Sequence, residues 1–477
     1  MPDERVTLDR LAAVGAATVI GDGDTRIGDV THDSRSAGPG DLFVAIRGAR
    51  HDGHEFVTST AAAAACVEVP VEAVIPQLVV PNTRAALPWL AAEVHGHPSR
   101  RLQVVGITGT NGKTTVAHML ASIIEAAGRS AGVIGTIGAR IGSNQIDLER
   151  TSPEASDFQR LLRRMVEAGV EVAAVEVSSH ALEFGRMDAT EYAVVAFTNL
   201  SQDHLDLHGD MESYFHTKAS LLLDTTATAV VNIDDPWGAR LASMIPRPVV
   251  PVGESGEYRA VDIRLGLTGS EFVLITPEGQ ERVHLPLGGR FNIDNALTAA
   301  ACAGSLGLAV ADIAAGLGAT EPIPGRMEPV EEGQQAAILV DYAHTPEGIG
   351  QVLESVRPFV PGRITVVVGA GGDRDADKRA EMGRAASQAD VVLFTSDNPR
   401  SEDPAVIIDA LLAGADGPAE VIIESDRRLA IRQAIAEAGA GDAVLILGKG
   451  HEPGQEIAGR VFPFDDRQVA REAVAAS

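Results

Sequence analysis

Short apolar runs separated by helical patterns recur through most of the chain. Five of these runs follow one another in the middle of the sequence, at residues 102–107, 131–134, 172–177, 194–198 and 229–233. Such alternation predicts a doubly wound sheet with much parallel pairing. The same alternation restarts after Pro324, with apolar runs at 337–340, 364–368, 391–395, 421–423 and 444–447. It predicts a second α/β region, similar to a Rossmann fold.

The first hundred residues show a weaker pattern. Runs at 42–46 and 78–80 predict strands, and the alanine run at 61–65 predicts a helix. Proline within 97–101, and proline with glycine at 322–325, mark two boundaries. The fold class expected is therefore α/β with three domains: a small N-terminal domain (1–101), a central P-loop ATPase-like domain with a mostly parallel sheet (102–325), and a C-terminal Rossmann-like domain (326–477).

A glycine-rich turn joins the apolar run at 102–107 to a helical pattern that begins at Lys113. Backbone N–H groups in such a turn, together with the start of the helix, can bind phosphate. Lys113 can reach terminal phosphates, and the Thr114 hydroxyl can bind Mg²⁺. The strict P-loop pattern requires glycine at position 107, where this chain has Ile107. A simple tight turn is the alternative, but Gly-Lys-Thr at a strand–helix junction favours a phosphate site.

The charge balance limits the classes of partner. The 477 residues include 39 Lys and Arg against 66 Asp and Glu, which gives a net charge of −27. Such a chain binds nucleic acid poorly without a basic patch, so small-molecule substrates are expected. Two cysteines, no basic leader and no long apolar span predict a cytoplasmic protein without stable membrane insertion. We expect a monomer or a weak oligomer.

Polar residues interrupt or follow the predicted central strands. Glu176 lies within an apolar run, where an ionised carboxylate is costly unless it is paired or coordinated. His204 follows the run at 194–198. Since ligands bind such sheets at the carboxyl ends of strands, both residues are candidate neighbours of a nucleotide-bound Mg²⁺. A loop histidine is the equally plausible alternative for His204.

Three predicted strand ends in the C-terminal region bring charged and amide side chains to one rim. These are Arg374, Asn398, Arg400 and Glu452. Arginine can bind a carboxylate through two hydrogen bonds, and glutamate can bind an ammonium group. The set would suit a zwitterionic amino acid, and surface ion pairing among these residues is the alternative.

Several motifs together resemble the Mur ligase family, the ATP-dependent amide ligases of peptidoglycan precursor synthesis. They lie in the family's order, at residues 106–115, 176–180, 197–204, 291–295, 325–328 and 341–346. The family loop also lacks the first glycine of the strict pattern. The resemblance implies ATP and Mg²⁺ as cofactors and an acyl-phosphate mechanism. The implied ATP-binding residues are Gly109, Thr110, Asn111, Gly112, Lys113, Thr114, Thr115, Asn292, Asn295, Arg326 and Asp341.

The resemblance also implies catalytic and metal-binding residues. Lys113, Glu176, His204 and Lys218 match the catalytic set. Thr114, Glu176, His204 and Lys218 match the metal set, the lysine only if its amine is carbamylated.

Within the family, the motifs are similar to those of members that add a diamino acid to UDP-N-acetylmuramoyl-L-alanyl-D-glutamate. The implied contacts to that substrate are Ser34, Thr151, Ser152, Ser178 and Arg186, and Phe184 stands where some members have glutamine. The implied contacts to meso-diaminopimelate are Arg374, Asp397, Asn398, Pro399, Arg400, Gly448 and Glu452. Two alternatives stay open: the same ligase using L-lysine, and a ligase similar to folylpolyglutamate synthase.

Overall fold

The computed structural model describes residues 5–48 and 51–476 of the chain. Its packing divides the chain into two compact units. The first unit comprises the chain up to Thr108, together with Gly128–Ala196 and Thr217–Ala229. The second comprises Gly109–Ala127, Phe197–His216 and the chain from Val230 onward. The predicted domain boundaries at 101/102 and 325/326 stay a prediction.

The N-terminal region contains a five-stranded sheet and two helices. Its elements are β1 (Val6–Thr7), α1 (Leu8–Gly15), β2 (Thr18–Ile20), β3 (Arg26–Ile27), β4 (Asp29–Thr31), β5 (Asp41–Val44), β6 (Ala64–Val67), β7 (Gln77–Val79) and α2 (Thr83–Val94). The strand order is β2-β7-β6-β5-β4, and β4 to β7 pair in parallel. The strands predicted at 42–46 and 78–80 are confirmed as β5 and β7.

The helix predicted at 61–65 was wrong, because Ala64 and Ala65 belong to strand β6. All four residues of β6 are buried between two parallel neighbours. A strand buried on both faces is apolar at every position, so its sequence lacks the period-two alternation of a half-exposed strand.

The central region builds an eight-stranded sheet with helices between its strands. Its elements are β8 (Gln103–Thr108), α3 (Lys113–Ala126), β9 (Ala131–Gly135), β10 (Gly138–Ile141), β11 (Asn144–Ile146), α4 (Ala155–Glu167), β12 (Val172–Glu176), α5 (Ser179–Glu183), β13 (Tyr192–Phe197), α6 (Leu205–His208), α7 (Met211–Leu223), β14 (Thr228–Asn232), α8 (Pro236–Met244) and β15 (Val249–Val252). The strand order is β11-β10-β9-β12-β8-β13-β14-β15. Strand β12 pairs in parallel with both β8 and β9. All five strands predicted here are confirmed.

An antiparallel three-stranded sheet follows, which the sequence patterns did not predict. It consists of β16 (Arg259–Leu265), β17 (Ser270–Thr276) and β18 (Gly279–Leu285), and the helices α9 (Arg290–Ser305) and α10 (Val310–Gly318) come next. Strand β17 alternates strictly between buried and half-buried positions. Apolar residues occupy both sets of positions, so the alternation of burial is not visible as an alternation of residue type.

The C-terminal region is a six-stranded sheet with helices on both faces. Its elements are β19 (Glu328–Pro329), β20 (Ala337–Asp341), α11 (Pro346–Val356), β21 (Ile364–Val368), α12 (Lys378–Ala386), β22 (Val391–Phe394), α13 (Pro404–Leu412), β23 (Glu420–Ile423), α14 (Arg427–Glu437), β24 (Ala443–Leu447), β25 (Gly454–Ile457), β26 (Arg460–Pro463) and α15 (Asp466–Ala475). The order is β19-β20-β24-β21-β22-β23, and all pairs except β19–β20 are parallel. Separate apolar clusters cover its two faces. The predicted α/β class is confirmed.

Among residues 5–48 and 51–476, no helix has both the length and the apolar character needed to cross a bilayer.

A buried ion pair ties the last helix to the C-terminal sheet. Arg427 donates to both carboxylate oxygens of Asp466, at 2.8 and 2.6 Å, and to the carbonyl of Leu447 at 2.9 Å. Both side chains of the pair are fully buried. Removing one partner would leave an uncompensated charge in the interior.

We expect Asp466→Asn to lower the free energy of unfolding by about 3–5 kcal/mol, because Arg427 would stay buried without its counter-charge. The matched control is Arg428→Ala, which removes an exposed pair with Glu472 between the same two helices. That change should cost about 0–1 kcal/mol. Urea unfolding of the three proteins measures both values, and equal losses would contradict the prediction.

Candidate active site

The loop between β8 and α3 lies in the second compact unit and is held closely by side chains of that unit. The Gly109 backbone has φ +146°, and a Cβ there would lie 1.9 Å from Thr198 Oγ1. The Gly112 backbone has φ +87°, and a Cβ there would lie 2.2 Å from Asn295 Oδ1. Only glycine fits at both positions, since other residues would clash and would rarely adopt these angles.

Further hydrogen bonds fix the shape of the loop. The Thr110 N–H donates to the Asn199 carbonyl at 2.9 Å, and the Asn111 N–H donates to Asn199 Oδ1 at 2.9 Å. The Thr110 hydroxyl donates to the Ser201 carbonyl at 3.1 Å and lies 3.2 Å from the Tyr214 hydroxyl. The loop conformation therefore depends on the segment that follows β13.

The two polar side chains that open α3 both have partners in this unit. Lys113 Nζ donates to the carbonyls of Gly109 and Thr110, each at 2.8 Å. The hydroxyl of Thr114 accepts a hydrogen bond from Arg326 Nη2 at 2.9 Å. The structure thus brings three of the predicted ATP-binding residues, Lys113, Thr114 and Arg326, to one place. Thr115 is buried beside them in the first turn of α3.

Arg326 is presented by a short segment that the end of β20 holds. One oxygen of the Asp341 carboxylate accepts the Met327 N–H and the other accepts the Ala343 N–H, both at 2.7 Å. The guanidinium of Arg326 also lies 4.4 Å from the centre of the Tyr342 ring. Burial raises the pKa of Asp341, and the nearby Arg326 opposes this rise. Asp341 therefore orders the backbone around Arg326.

Two asparagines on α9 continue this group. Asn295 Nδ2 donates to Asn292 Oδ1 at 3.2 Å, and Asn292 Nδ2 donates to the Gly288 carbonyl at 2.7 Å. Both side chains are buried. Asn295 Oδ1 lies where a Cβ of Gly112 would be, so the two asparagines lie beside the glycine loop.

A buried carboxylate in the motif at 197–204, which was not among the predicted site residues, lies next to His204. Asp203 accepts a hydrogen bond from Lys378 Nζ at 2.8 Å, and its other oxygen lies 3.4 Å from His204 Nε2 and 3.5 Å from His344 Nε2. Burial raises the pKa of Asp203, but the His344 hydrogen bond and the charges of His204 and Lys378 hold it well below its usual value. Asp203 is therefore an anion surrounded by three basic side chains.

In the first compact unit, Glu176 ends strand β12 and is 1% exposed. Its carboxylate accepts the Thr136 N–H at 2.9 Å and the Thr136 hydroxyl at 3.0 Å. A Cβ at Gly135 would lie 2.0 Å from Glu176 Oε1, so glycine is required beside it. These contacts give hydrogen-bond partners to a carboxyl group that ends an apolar strand.

The predicted dipeptide contacts gather around the same strand end. Ser152 Oγ donates to the Glu176 carbonyl at 2.8 Å and lies 3.2 Å from Ser178 Oγ. The hydroxyl of Thr151 lies 3.1 Å from that of Thr136. Lys218 is buried in this unit and Ser34 is half-buried. The structure brings Thr151, Ser152 and Ser178 together with Glu176.

Arg186 joins this group through a cluster of charged and aromatic side chains. Its Nη2 lies 3.0 Å from Glu154 Oε1, while Arg84 Nη1 lies 3.4 Å from the other oxygen of Glu154. Both guanidiniums lie over the ring of Phe184, with 5.4 Å from its centre to that of Arg84 and 5.5 Å to that of Arg186. Burial, with the neighbouring cations Arg150 and Arg84, lowers the pKa of Arg186.

The structure brings two residues of the predicted C-terminal rim, Asn398 and Glu452, into contact. Asn398 Nδ2 donates to Glu452 Oε2 at 2.8 Å, and the buried Lys449 donates to Asn398 Oδ1 at 3.1 Å and to Glu452 Oε2 at 3.0 Å. A Cβ at Gly448 would lie 2.8 Å from Asp397 Oδ2. Lys449 completes this network, and the sequence analysis missed it although it lies between Gly448 and Glu452.

Two arginines flank the same rim. A Cβ at Gly371 would lie 3.0 Å from Arg400 Nη1 and 3.7 Å from Arg374 Cγ. Arg400 Nη1 donates to the Gly372 carbonyl at 2.6 Å, and a Cβ at Gly372 would lie 2.0 Å from the Pro399 carbonyl. The backbone of Arg400 has φ +52° and is held by hydrogen bonds to residues of β25 and the following turn. Surrounding contacts thus stabilise an unusual conformation at this arginine.

Within residues 5–48 and 51–476, no three His, Cys, Asp or Glu side chains converge to hold a metal ion. Mg²⁺ in nucleotide sites usually takes one or two protein oxygens, with water and phosphate oxygens completing its shell. The Thr114 hydroxyl and the Glu176 carboxylate are oxygen donors of the kind that Mg²⁺ prefers.

Comparison with known proteins decides the family. Three family models match the chain: "Mur ligase family, catalytic domain" at residues 26–95, "Mur ligase middle domain" at 107–303, and "Mur ligase, glutamate ligase domain" at 325–450. A relative from Streptomyces coelicolor, named UDP-N-acetylmuramoyl-L-alanyl-D-glutamate–2,6-diaminopimelate ligase, is 45% identical over 95% of this chain and 93% of that protein. The chain belongs to the Mur ligase family. The resemblance stated from its motifs is confirmed, and the protein is a ligase.

Two solved structures extend the comparison. A structure titled as a UDP-N-acetylmuramoyl-L-alanyl-D-glutamate–2,6-diaminopimelate ligase is 30% identical, with a TM-score of 0.68 and coverage of 99% of both chains. A Mycobacterium tuberculosis folylpolyglutamate synthase, titled as complexed with ADP and AMPPCP, is 20% identical with a TM-score of 0.64 and covers 82% of this ligase and 94% of its own chain. The second match shows a shared fold alone.

Asp294, on α9 between the two asparagines, has a shifted pKa that gives a test of stability. Burial raises its pKa to about 6, the charges of Asp234 and Glu254 add to the rise, and Arg290 opposes it. Between the unfolded value of 3.8 and about 6, the unfolded chain is ionised at this residue while the folded chain is not. The residue therefore destabilises the fold increasingly as the pH rises through this range.

We expect Asp294→Asn to raise the melting temperature at pH 7, with a gain that shrinks as the pH falls from 6 towards 4. Thermal unfolding across this range measures the gain. The control Glu281→Gln removes a negative charge from an exposed position of β18. A gain for Asp294→Asn that is independent of pH would contradict the assignment.

Proposed function

We propose that this ligase uses ATP to add meso-diaminopimelate to the γ-carboxylate of the D-glutamyl residue in UDP-N-acetylmuramoyl-L-alanyl-D-glutamate, a step of peptidoglycan precursor synthesis. The proposal rests on one combined observation. Hydrogen bonds hold the side chains of the glycine loop and of the C-terminal rim in place, in a chain that is 45% identical to a ligase of that name. The printed name of that relative gives 2,6-diaminopimelate without a stereoisomer, so "meso" comes from the motif resemblance.

In the first step, an oxygen of the D-glutamyl γ-carboxylate attacks the γ-phosphorus of ATP and ADP leaves, which gives an acyl phosphate. Backbone N–H groups of residues 112–115 would bind the phosphates, because they lie at the start of α3. Gly109, Thr110 and Asn111 would shape the loop around them, since the N–H groups of Thr110 and Asn111 are held by Asn199. Lys113 would exchange its two loop carbonyl partners for phosphate oxygens. Arg326, Asn292, Asn295 and Asp341 are the proposed remaining nucleotide residues.

Magnesium, when bound, would neutralise charge on the phosphate oxygens. We propose Thr114 and His204 as its neighbours in the second unit, since Thr114 already presents its hydroxyl oxygen to a polar partner. Glu176 and a carbamylated Lys218, both buried in the first unit, stay predictions for the same role.

In the second step, the amine nitrogen of the amino acid attacks the acyl carbon, a proton is lost and phosphate leaves. Glu452 and Asn398 would bind the ammonium and carboxylate groups of the amino acid, aided by Arg374. Arg400 would bind the carboxylate at the far end of diaminopimelate, which L-lysine lacks. Asp397, Pro399 and Gly448 would shape the turn around them.

The proposed contacts to the UDP-linked substrate lie in the first unit. Arg186 and Ser178 would bind the dipeptide, with Thr151 and Ser152 beside them. Ser34 stays a prediction from the motif. The monomeric or weakly oligomeric state and the cytoplasmic location stay predictions as well.

Two alternatives can be separated by one assay. A lysine-adding ligase would form product with L-lysine and none with diaminopimelate. A ligase similar to folylpolyglutamate synthase would use a folate and glutamate in place of both substrates. Phosphate release and product mass should be measured with UDP-N-acetylmuramoyl-L-alanyl-D-glutamate and a panel of meso- and LL-diaminopimelate, L-lysine and glutamate. Turnover with L-lysine alone would overturn the proposal.

We expect Arg400→Ala to raise the KM for diaminopimelate by about 10- to 100-fold, since hydrogen bonds to charged groups contribute about 1.5–3 kcal/mol. The KM for ATP should stay unchanged, because no phosphate contact is assigned to Arg400. Arg460→Ala, at an exposed position of β26, is the matched control and should leave both constants unchanged. Equal increases in both KM values for Arg400→Ala would contradict its role.

A further inference from the structure

Asp203 joins three segments of the second compact unit that lie far apart in the sequence. It is 4% exposed, and it contacts His204 beside it, His344 after β20, and Lys378 at the start of α12. The Lys378 contact is the shortest, with 2.8 Å between Nζ and Oδ1. The lysine side chain is itself buried. This ion pair thus lies out of solvent, where removing one partner is costly.

The position of Lys378 in its helix also points to a tertiary role. It is the first residue of α12, where the helix dipole disfavours a cation. The preceding Asp377 makes no side-chain cap hydrogen bond. The Asp375 side chain accepts the Asp377 N–H at 3.1 Å, and the bond from Lys378 to Asp203 adds a long-range anchor to the start of α12.

Arg379, which follows Lys378, stabilises the same turn through other partners. Arg379 donates to both carboxylate oxygens of Glu402, at 2.9 and 2.8 Å, and to the Gly371 carbonyl at 3.1 Å. The N–H of Asp373 donates to Glu402 as well, at 2.6 Å. Residues 371–378, called the rim segment here, are thus held at both ends.

The rim segment carries part of the amino-acid site. It includes Arg374, and its Gly371 and Gly372 contact Arg400 and the Pro399 carbonyl. On the other side of the ion pair, Asp203 directly precedes His204 and contacts His344. The Lys378–Asp203 pair is therefore a direct link between the rim segment and two histidines. One of them, His204, packs against Tyr214, whose hydroxyl contacts Thr110 of the glycine loop.

We propose that Lys378 is a positioning residue. It holds the rim segment in place for the attack of the amine on the acyl phosphate, and this inference rests on the proposed function. The first step depends on Lys378 much less. If the lysine is lost, Asp203 keeps His204 and His344 as partners, whereas the rim segment loses its long-range anchor. The two chemical steps should then respond differently.

The test compares both steps in Lys378→Met. Amide formation is measured with all substrates, and acyl-phosphate formation is measured as oxygen-18 positional exchange in ATP with the UDP-linked dipeptide and no amino acid. We expect amide formation to fall about 100-fold, a loss that a misplacement of about 1 Å can cause, while exchange changes about threefold or less. The KM for diaminopimelate should rise and that for ATP should not.

Two further variants make the result specific. Lys378→Arg keeps the charge and should restore most of the amide formation. Arg384→Met removes an exposed cation from the same helix, where it pairs with Glu381 and Asp416, and should leave both steps unchanged. If Lys378→Met does not fold, Lys378→Gln replaces it. Its amide can still donate to Asp203, so we expect a smaller fall of amide formation than in Lys378→Met, again with a change of about threefold or less in exchange.

An equal fall of exchange and amide formation in the folded variant would overturn the inference, and so would no change in either. A wild-type protein that forms no amide with any amino acid of the panel would instead overturn the proposed function.

Discussion

Buried carboxylates must be paired, and in this ligase three of them determine where separate parts of the chain lie. An isolated ionised carboxylate in the interior costs several kcal/mol, so each needs donors with good geometry. Asp341 takes two backbone N–H groups and thereby orders the segment that presents Arg326. Glu176 takes both the N–H and the hydroxyl of Thr136. Asp203 takes a lysine from 175 residues away.

The shape of the glycine loop depends on close packing against neighbouring side chains. Gly109 and Gly112 have left-handed backbone angles and leave no room for a Cβ atom, since Thr198 and Asn295 occupy that space. The N–H groups of the loop are consequently aimed by tertiary contacts and not by the local sequence alone. A loop fixed in this way can present the N–H groups at the start of α3 to phosphate without rearranging its backbone, which limits the cost of binding.

The sequence predicts this fold well wherever a strand is apolar along its whole length. Runs such as 364–368 are buried on both faces of a parallel sheet, so a continuous apolar run bounded by glycine identifies them. The loop at 109–115 is equally predictable from the sequence, because its chemistry needs glycine, lysine and threonine in consecutive positions. The helix expected at 61–65 failed because alanine fills a buried strand as readily as a helix.

The site is predictable only where its residues belong to local motifs. Asp203 lies in the motif at 197–204, but it carries no signal in the sequence that pairs it with Lys378, since 175 residues separate the two. Lys449 was visible between two predicted residues, but its burial and its bonds to Asn398 and Glu452 required the fold. Long-range pairing therefore limits what the sequence can predict here, more than secondary structure does.

Phe184 shows how a strongly acidic protein keeps a region of positive potential. The chain carries a net charge of −27, yet Arg84, Arg150 and Arg186 gather around the single carboxylate of Glu154. The ring of Phe184 attracts two of these guanidiniums through its π-electrons, without adding a negative charge. A second carboxylate would have held the arginines equally well and cancelled their field. The aromatic ring therefore stabilises the cluster and still leaves its surplus charge available to attract anions.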